Sequence, residues 1–170
     1  MTVFIQNFTT EESGGLFRAT SFEEAKEVAI SQMRRLKNEW GTSLEMVFGP
    51  MTSGGLGCEK ENRALFERAV VTLRQAGYPI FCQTPYEKKL RQIKLQNNRK
   101  MRDGYLYDDL LRYFYKPIIR SGYLVRGHYV PNWHTSTGSQ IEQAELIIGG
   151  IPRSFLGPDL LPKSLHYLAL

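Results

Sequence analysis

The chain has 170 residues, a formal net charge of +5 and 42% hydrophobic residues, which fits one globular domain with a real core. Two cysteines, Cys58 and Cys82, and three histidines give neither a disulfide framework nor metal-ligand spacing, so no metal and no cofactor are expected. No apolar run approaches a membrane span, and residues 1–6 meet Asn7 and Glu11 too early for a secretory signal, so a cytoplasmic protein is expected.

Residues 2–6 alternate in polarity and predict a short edge strand. Ser21-Phe22-Glu23-Glu24 reads as a capping box, with Ser21 as N-cap and Glu24 three residues on. The helix it opens carries Phe22, Ala25, Val28, Ala29, Met33, Leu36 and Trp40 on one stripe and stops near Gly41. Residues 44–48 predict a buried strand, broken by Gly49-Pro50. The loop Ser53-Gly54-Gly55-Leu56-Gly57 leads into a second helix, with Leu65, Phe66, Ala69, Val70 and Leu73 as its apolar face and Gly77 at its end. Residues 78–83 predict the next strand, with Pro79 near its start, where a missing N–H is tolerated.

Residues 86–98 predict a polar, basic helix, and 97–104 a loop. Lys88, Lys89, Arg91, Lys94, Arg99, Lys100 and Arg102 gather much of the positive excess. Such a run either holds nucleic acid or nucleotide phosphate, or is simply a solvated helix face. Residues 105–119 predict a helix bent or ended near Pro117, and 123–130 a strand interrupted at Gly127. Residues 141–148 predict a short helix closed by Gly149-Gly150; the tail from Pro152 reads as loop, with a helical turn around Leu165. Strands alternating with helices predict an α/β domain with three layers and a mostly parallel sheet.

Two segments sit where a strand hands over to a helix, the place where open α/β sheets bind ligands. Gly49-Pro50-Met51-Thr52-Ser53-Gly54-Gly55 lets the backbone approach a ligand, or is only a surface turn; it is neither a Walker A loop nor a G-x-G-x-x-G fingerprint. Ser136-Thr137-Gly138-Ser139-Gln140-Ile141-Glu142 puts hydroxyls, a glycine and a carboxylate at a helix start, whose free N–H groups and positive dipole end suit a phosphate. Ser139 and Glu142 equally fit a capping box, in which the glutamate merely satisfies an N–H. Asp108 and Asp109 are read either as caps of the next helix or as acids, and Trp133 either as a core cover or as a stacking surface.

Taken together, Val47-Phe48-Gly49-Pro50-Met51-Thr52, then Asn62, Phe66, Ala69, Leu73, Gly77, Tyr78, Phe81 and Pro85, then Pro131, Trp133, Ser136, Gly138, Glu142 and Ala144 resemble the nucleoside 2-deoxyribosyltransferase-like superfamily. The nearest branch is that of small bacterial and phage members with a GPMTG-like turn and a GW-x-x-S-x-GA-x-x-E segment. The resemblance spans residues 44–152 with a basic insertion at about 88–104. That leaves 1–43 as a strand–helix extension packed on the core and 153–170 as a C-terminal tail.

The resemblance implies a flavodoxin-like fold and cleavage or exchange of the N-glycosidic bond of nucleosides or nucleotides. Glu142 stands at the position of the nucleophile that attacks the anomeric carbon, as in retaining glycosidases. A place in the first turn of a helix would keep it ionised. Asp109, with Asp108 as the neighbouring choice, stands where an aspartate orients and protonates the leaving base. Ser136 lies six residues before Glu142, where the monophosphate-cleaving members carry a serine that contacts phosphate. This implies a nucleoside or deoxynucleoside 5′-monophosphate held by Ser136, Gly138 and Ser139, with Gly49, Met51, Thr52 and Trp133 as further contacts. A homodimer whose partner closes the pocket is also implied. Asn132 and Ser139 depart from the family's usual glycine and alanine. Two other readings stay open: a non-catalytic nucleotide-binding sensor of the same fold, and a nucleic-acid-associated protein using residues 88–102.

Overall fold

The computed structural model describes residues 4–100 and 107–162. In chain order the elements are α1 (Thr10–Arg18), α2 (Phe22–Trp40), β1 (Leu44–Phe48), α3 (Glu59–Gln75), β2 (Ile80–Phe81), α4 (Thr84–Lys100) and α5 (Tyr107–Leu110). A π turn (Leu111–Tyr115) then runs into α6 (Lys116–Ile119), followed by β3 (Leu124–Tyr129), a 3-10 turn (Trp133–Thr135), α7 (Thr137–Ile148) and β4 (Arg153–Phe155).

The strands pair in the order β2-β1-β3-β4, and every pair is parallel. Strand alternation explains the layers. Leu44, Met46 and Phe48 of β1 point to one face, where they pack with Phe22, Ala25, Ala29, Met33 and Leu36 of α2, Phe114, Ile118 and Leu146. Val47 points to the other, where Ile80 and Val130 join the expected face of α3: Leu65, Phe66, Ala69, Val70 and Leu73. The result is the expected three-layer, flavodoxin-like α/β architecture. Gly127 interrupts nothing: it lies inside β3, where any Cβ would collide with Leu146 and Phe48. The same α3-side face carries a buried polar chain, with His128 of β3 bonded to Glu45 of β1 at 2.5 Å and to Ser154 of β4 at 2.5 Å. Burial of these groups is tolerated because each finds a partner.

Several expectations are corrected. Residues 4–6 form no strand, and residues 2 and 3 lie outside the described part. Instead Phe4 packs on the Trp40 ring with centroids 5.0 Å apart, while Gln6 covers the free edge beyond β2. The Cys82 N–H donates to Gln6 Oε1 at 2.7 Å and the Gln6 amide donates to the Cys82 carbonyl at 2.9 Å, so a side chain replaces an edge partner. α1 was not expected from the sequence; it is opened by a capping box of Thr9 and Glu12. At α2, Ser21 accepts from Glu24 N–H as expected, and the Glu24 carboxylate also accepts from Thr20 N–H at 2.6 Å.

The strand expected at 78–83 shrinks to Ile80–Phe81. The basic helix begins at Thr84 and runs to Lys100, over part of the expected loop. Residues 101–104 of that loop, and the turn expected around Leu165, lie outside the described residues. Pro117 neither ends nor breaks its helix. Because it cannot donate to a carbonyl four residues back, the preceding turn widens, and Lys116 N–H bonds to Leu111 C=O. α7 starts four residues earlier than expected, at Thr137. The tail is not all loop, since Arg153–Phe155 extends the sheet as β4.

Candidate functional site

Parallel strands leave their carboxyl ends on one edge, and the chain reverses direction across the sheet between β1 and β3. A cavity of about 100 Å³ opens there. Gly49, Met51 and Thr52 line it from the loop after β1, Gln83 from the end of β2, and Ser136, Gly138, Ser139 and Glu142 from the start of α7. Glu87 of α4, Leu110, Leu111 and Tyr115 complete the wall. Seven of the expected contacts therefore converge on one space.

The loop after β1 owes its shape to two cross-links. Gly54 and Gly55 take positive φ values of 75° and 63°, which a side chain would resist. The Asn62 side chain, from α3, accepts from Leu56 N–H at 2.8 Å and donates to the Gly54 carbonyl at 3.0 Å. Thr135, from the turn after β3, accepts from Gly55 N–H at 2.5 Å and donates to the Asn132 carbonyl at 2.8 Å. The two loops that frame the cavity are thus tied to each other. Asn132 itself sits at φ 62°, a left-handed position where asparagine is among the few tolerated side chains.

At α7, the cap resolves the double reading of Ser139 and Glu142. Ser136 is the N-cap, accepting from Ser139 N–H at 3.4 Å. Glu142 therefore lies in the second turn, facing the cavity rather than satisfying the helix end. This corrects the expected charge state as well. Desolvation, with the charge of Glu87 added to it, pushes the Glu142 carboxyl up to about 8. The helix end does not hold it ionised.

Glu87 was not foreseen. Arg63 pairs with it at 3.1 Å and the Tyr115 hydroxyl donates to it at 3.0 Å. The signal was present in Thr84-Pro85-Tyr86-Glu87, which puts a carboxylate in the first turn of the helix after a strand. Gln83 was missed too. Its amide donates to the Val47 carbonyl at 3.0 Å, while Gln83 Oε1 is buried without a partner. Ser139 Oγ is likewise buried and unpartnered, with the residue only 1% exposed. Two orphaned polar atoms in the wall of one cavity fit a ligand rich in hydroxyl or phosphate groups.

Other expected residues lie apart. Trp133 stacks on Phe155 with centroids 5.7 Å apart and tilts over Tyr129 at 4.9 Å, so its ring faces a separate groove. Asp109 is half-buried on α5; Leu110 and Leu111 beside it reach the cavity. The Asp108 side chain lies outside the described part. Among the described residues, no cluster of three His, Cys, Asp or Glu side chains is set to hold a metal, and no helix is long and apolar enough to cross a membrane. No family model matches this chain, and neither a curated protein nor a solved structure matches it significantly.

Proposed function

We propose that the protein cleaves or exchanges the N-glycosidic bond of a nucleoside or deoxynucleoside 5′-monophosphate, as the resemblance to nucleoside 2-deoxyribosyltransferases implies. The observation that carries the reading is the convergence on one cavity of the Glu142 carboxyl with the capped start of α7 and the unpartnered Ser139 hydroxyl. The phosphate would lie at Ser136, Gly138 and Ser139, where N–H and hydroxyl donors meet a positive dipole end. In the chemical step a Glu142 oxygen bonds to the anomeric carbon while the C–N bond breaks and its electron pair leaves with the base. The base takes a proton from an acid, for which the resemblance offers Asp109 or Asp108. Water or a second base then attacks the anomeric carbon and frees Glu142.

A nucleotide-binding sensor is the second reading, favoured by the raised affinity of Glu142 for its proton. A neutral carboxyl binds as a hydrogen-bond donor instead of attacking. Incubation with a panel of 5′-monophosphates, with released base measured by chromatography, separates the two: base release that vanishes in Glu142→Gln supports the enzyme. Tight binding of one nucleotide without release from any supports the sensor. A homodimer belongs to the enzyme reading and is checked by light scattering after gel filtration.

A further inference from the structure

The cavity at Glu142, about 100 Å³, is well below the roughly 300 Å³ at which pockets for drug-sized ligands begin. A nucleotide reaching Glu142 through its sugar must place its base elsewhere. A second cavity of about 350 Å³ adjoins the first, and Thr52, Glu87, Leu110 and Tyr115 line both. Its far wall belongs to α4. Leu90, 2% exposed, gives it an apolar floor, and Arg91 and Lys94, three residues apart and so on one helix face, bring two cations to its lining beside the carboxylates of Glu59 and Glu87.

We propose that this second cavity is the leaving-group subsite and that Arg91 and Lys94 select a heteroaromatic base carrying a carboxylate. The inference rests on the glycosidic reading of the Glu142 site. Leu90 and Tyr115 both line this cavity and offer a heteroaromatic ring apolar contact, and an uncharged base draws nothing from the two cations beyond that contact. A ring carboxylate accepts charge-assisted hydrogen bonds from both. Arg91 is available for this exchange. Its present partner, Glu59 at 2.7 Å, is solvent-exposed like Arg91 itself (42% and 56%), so the pair is weakly held. Glu59 keeps a second guanidinium, Arg63, at 2.8 Å when Arg91 turns to a ligand.

The test is equilibrium binding of orotate, with thymine as the uncharged comparison, to the full chain and to the double variant Arg91→Ala/Lys94→Ala. Arg91 is exposed and Lys94 half-buried, and circular dichroism verifies that the double variant keeps the fold. Orotate is expected to bind about tenfold more tightly than thymine, and the double variant to lose that preference while keeping thymine affinity. Equal affinity for the two bases, or orotate affinity unchanged in the double variant, overturns the proposal even where base release from nucleotides is observed. Displacement of orotate by a short single-stranded oligonucleotide more readily than by thymine overturns it in favour of a nucleic-acid face on α4. Orotate binding that depends on Arg91 and Lys94 supports the subsite, and failure to release base from any nucleotide then counts against the Glu142 chemistry alone.

Discussion

Glu142 on α7 and Glu87 on α4 line one cavity, and the charge of Glu87 adds to the burial that lifts the Glu142 carboxyl to about 8. Two carboxyl groups in one site with different environments are the usual basis for dividing acid and base roles. Arg63 and the Tyr115 hydroxyl hold Glu87, whereas Glu142 faces the cavity. If Glu142 attacks as a carboxylate, kcat/KM rises with pH along a limb centred near 8, because that ratio reports ionisation in the free enzyme. A rate that instead falls through this pH would assign Glu142 the acid's part.

The same group links stability to pH. A carboxyl that holds its proton up to about 8 in the folded chain but only to its ordinary value when unfolded favours folding at low pH. That advantage drains away as pH rises between the two values. Glu142→Gln removes the cost of ionisation, so its melting temperature should exceed that of the parent by about 3 °C or more at pH 8 and by little at pH 5. Thermal melts at both pH values check this, and turnover should fall about 10³-fold in the same variant. A variant less stable than the parent at pH 8 would show that Glu142 is held by partners rather than by desolvation.

Ser136→Asp distinguishes phosphate from sugar recognition without dismantling α7, since aspartate is as good an N-cap as serine. A carboxylate there repels a phosphate dianion. The variant should bind a monophosphate about tenfold more weakly and the matching nucleoside nearly as before, as titration calorimetry on both ligands can read. An equal loss for both would place the phosphate elsewhere.

Asn62→Ala tests whether loop geometry limits the site. Asn62 is buried at 2% exposure and is not among the residues that line the cavity, yet it holds Leu56 N–H and the Gly54 carbonyl. Its loss should cost about 1–3 kcal/mol of stability by leaving those groups unpaired. The freed loop should also weaken nucleotide binding by about tenfold, through the added cost of ordering it. Unchanged affinity in a destabilised variant would make Asn62 purely structural.

Away from the site, Glu12 is 7% exposed and meets Arg35 through two bonds of 2.8 and 2.9 Å. Burial alone would raise its pKa, but Arg35, the Thr9 N–H and Gln32 together hold it below the ordinary value. Its contribution is therefore present above that ordinary value and is lost as pH falls through the depressed one. Glu12→Ala should cost about 3 kcal/mol near neutrality, by stranding Arg35 and the helix start, and less in acid. Urea unfolding at pH 7 and pH 3 measures the difference.

Much of this architecture was legible in the chain itself. Periodicity placed α2 and α3 and their buried faces, because a helix that must hide one stripe writes it every three to four residues. The parallel layering followed from alternation of strands and helices, and glycine and hydroxyl residues marked both site loops. What failed was local competition. Ser136 and Ser139 are both acceptable caps, and only the path of the chain leaving Trp133 decides that Ser136 takes the role. β4 is three residues long and too short to show a pattern; pairing with β3 makes it a strand.

The amino-acid order by itself determined which residues can do chemistry and which segments must be buried, since both are properties of side-chain type and spacing. Tertiary structure alone decided proximity and charge. It brought Gln83 and Glu87 from the β2–α4 junction to a carboxyl 55 residues beyond Glu87, turned Trp133 away towards Phe155, and withdrew Glu142 from water so that it keeps its proton. Solvation and neighbouring charge depend on three-dimensional packing, and no linear motif encodes them.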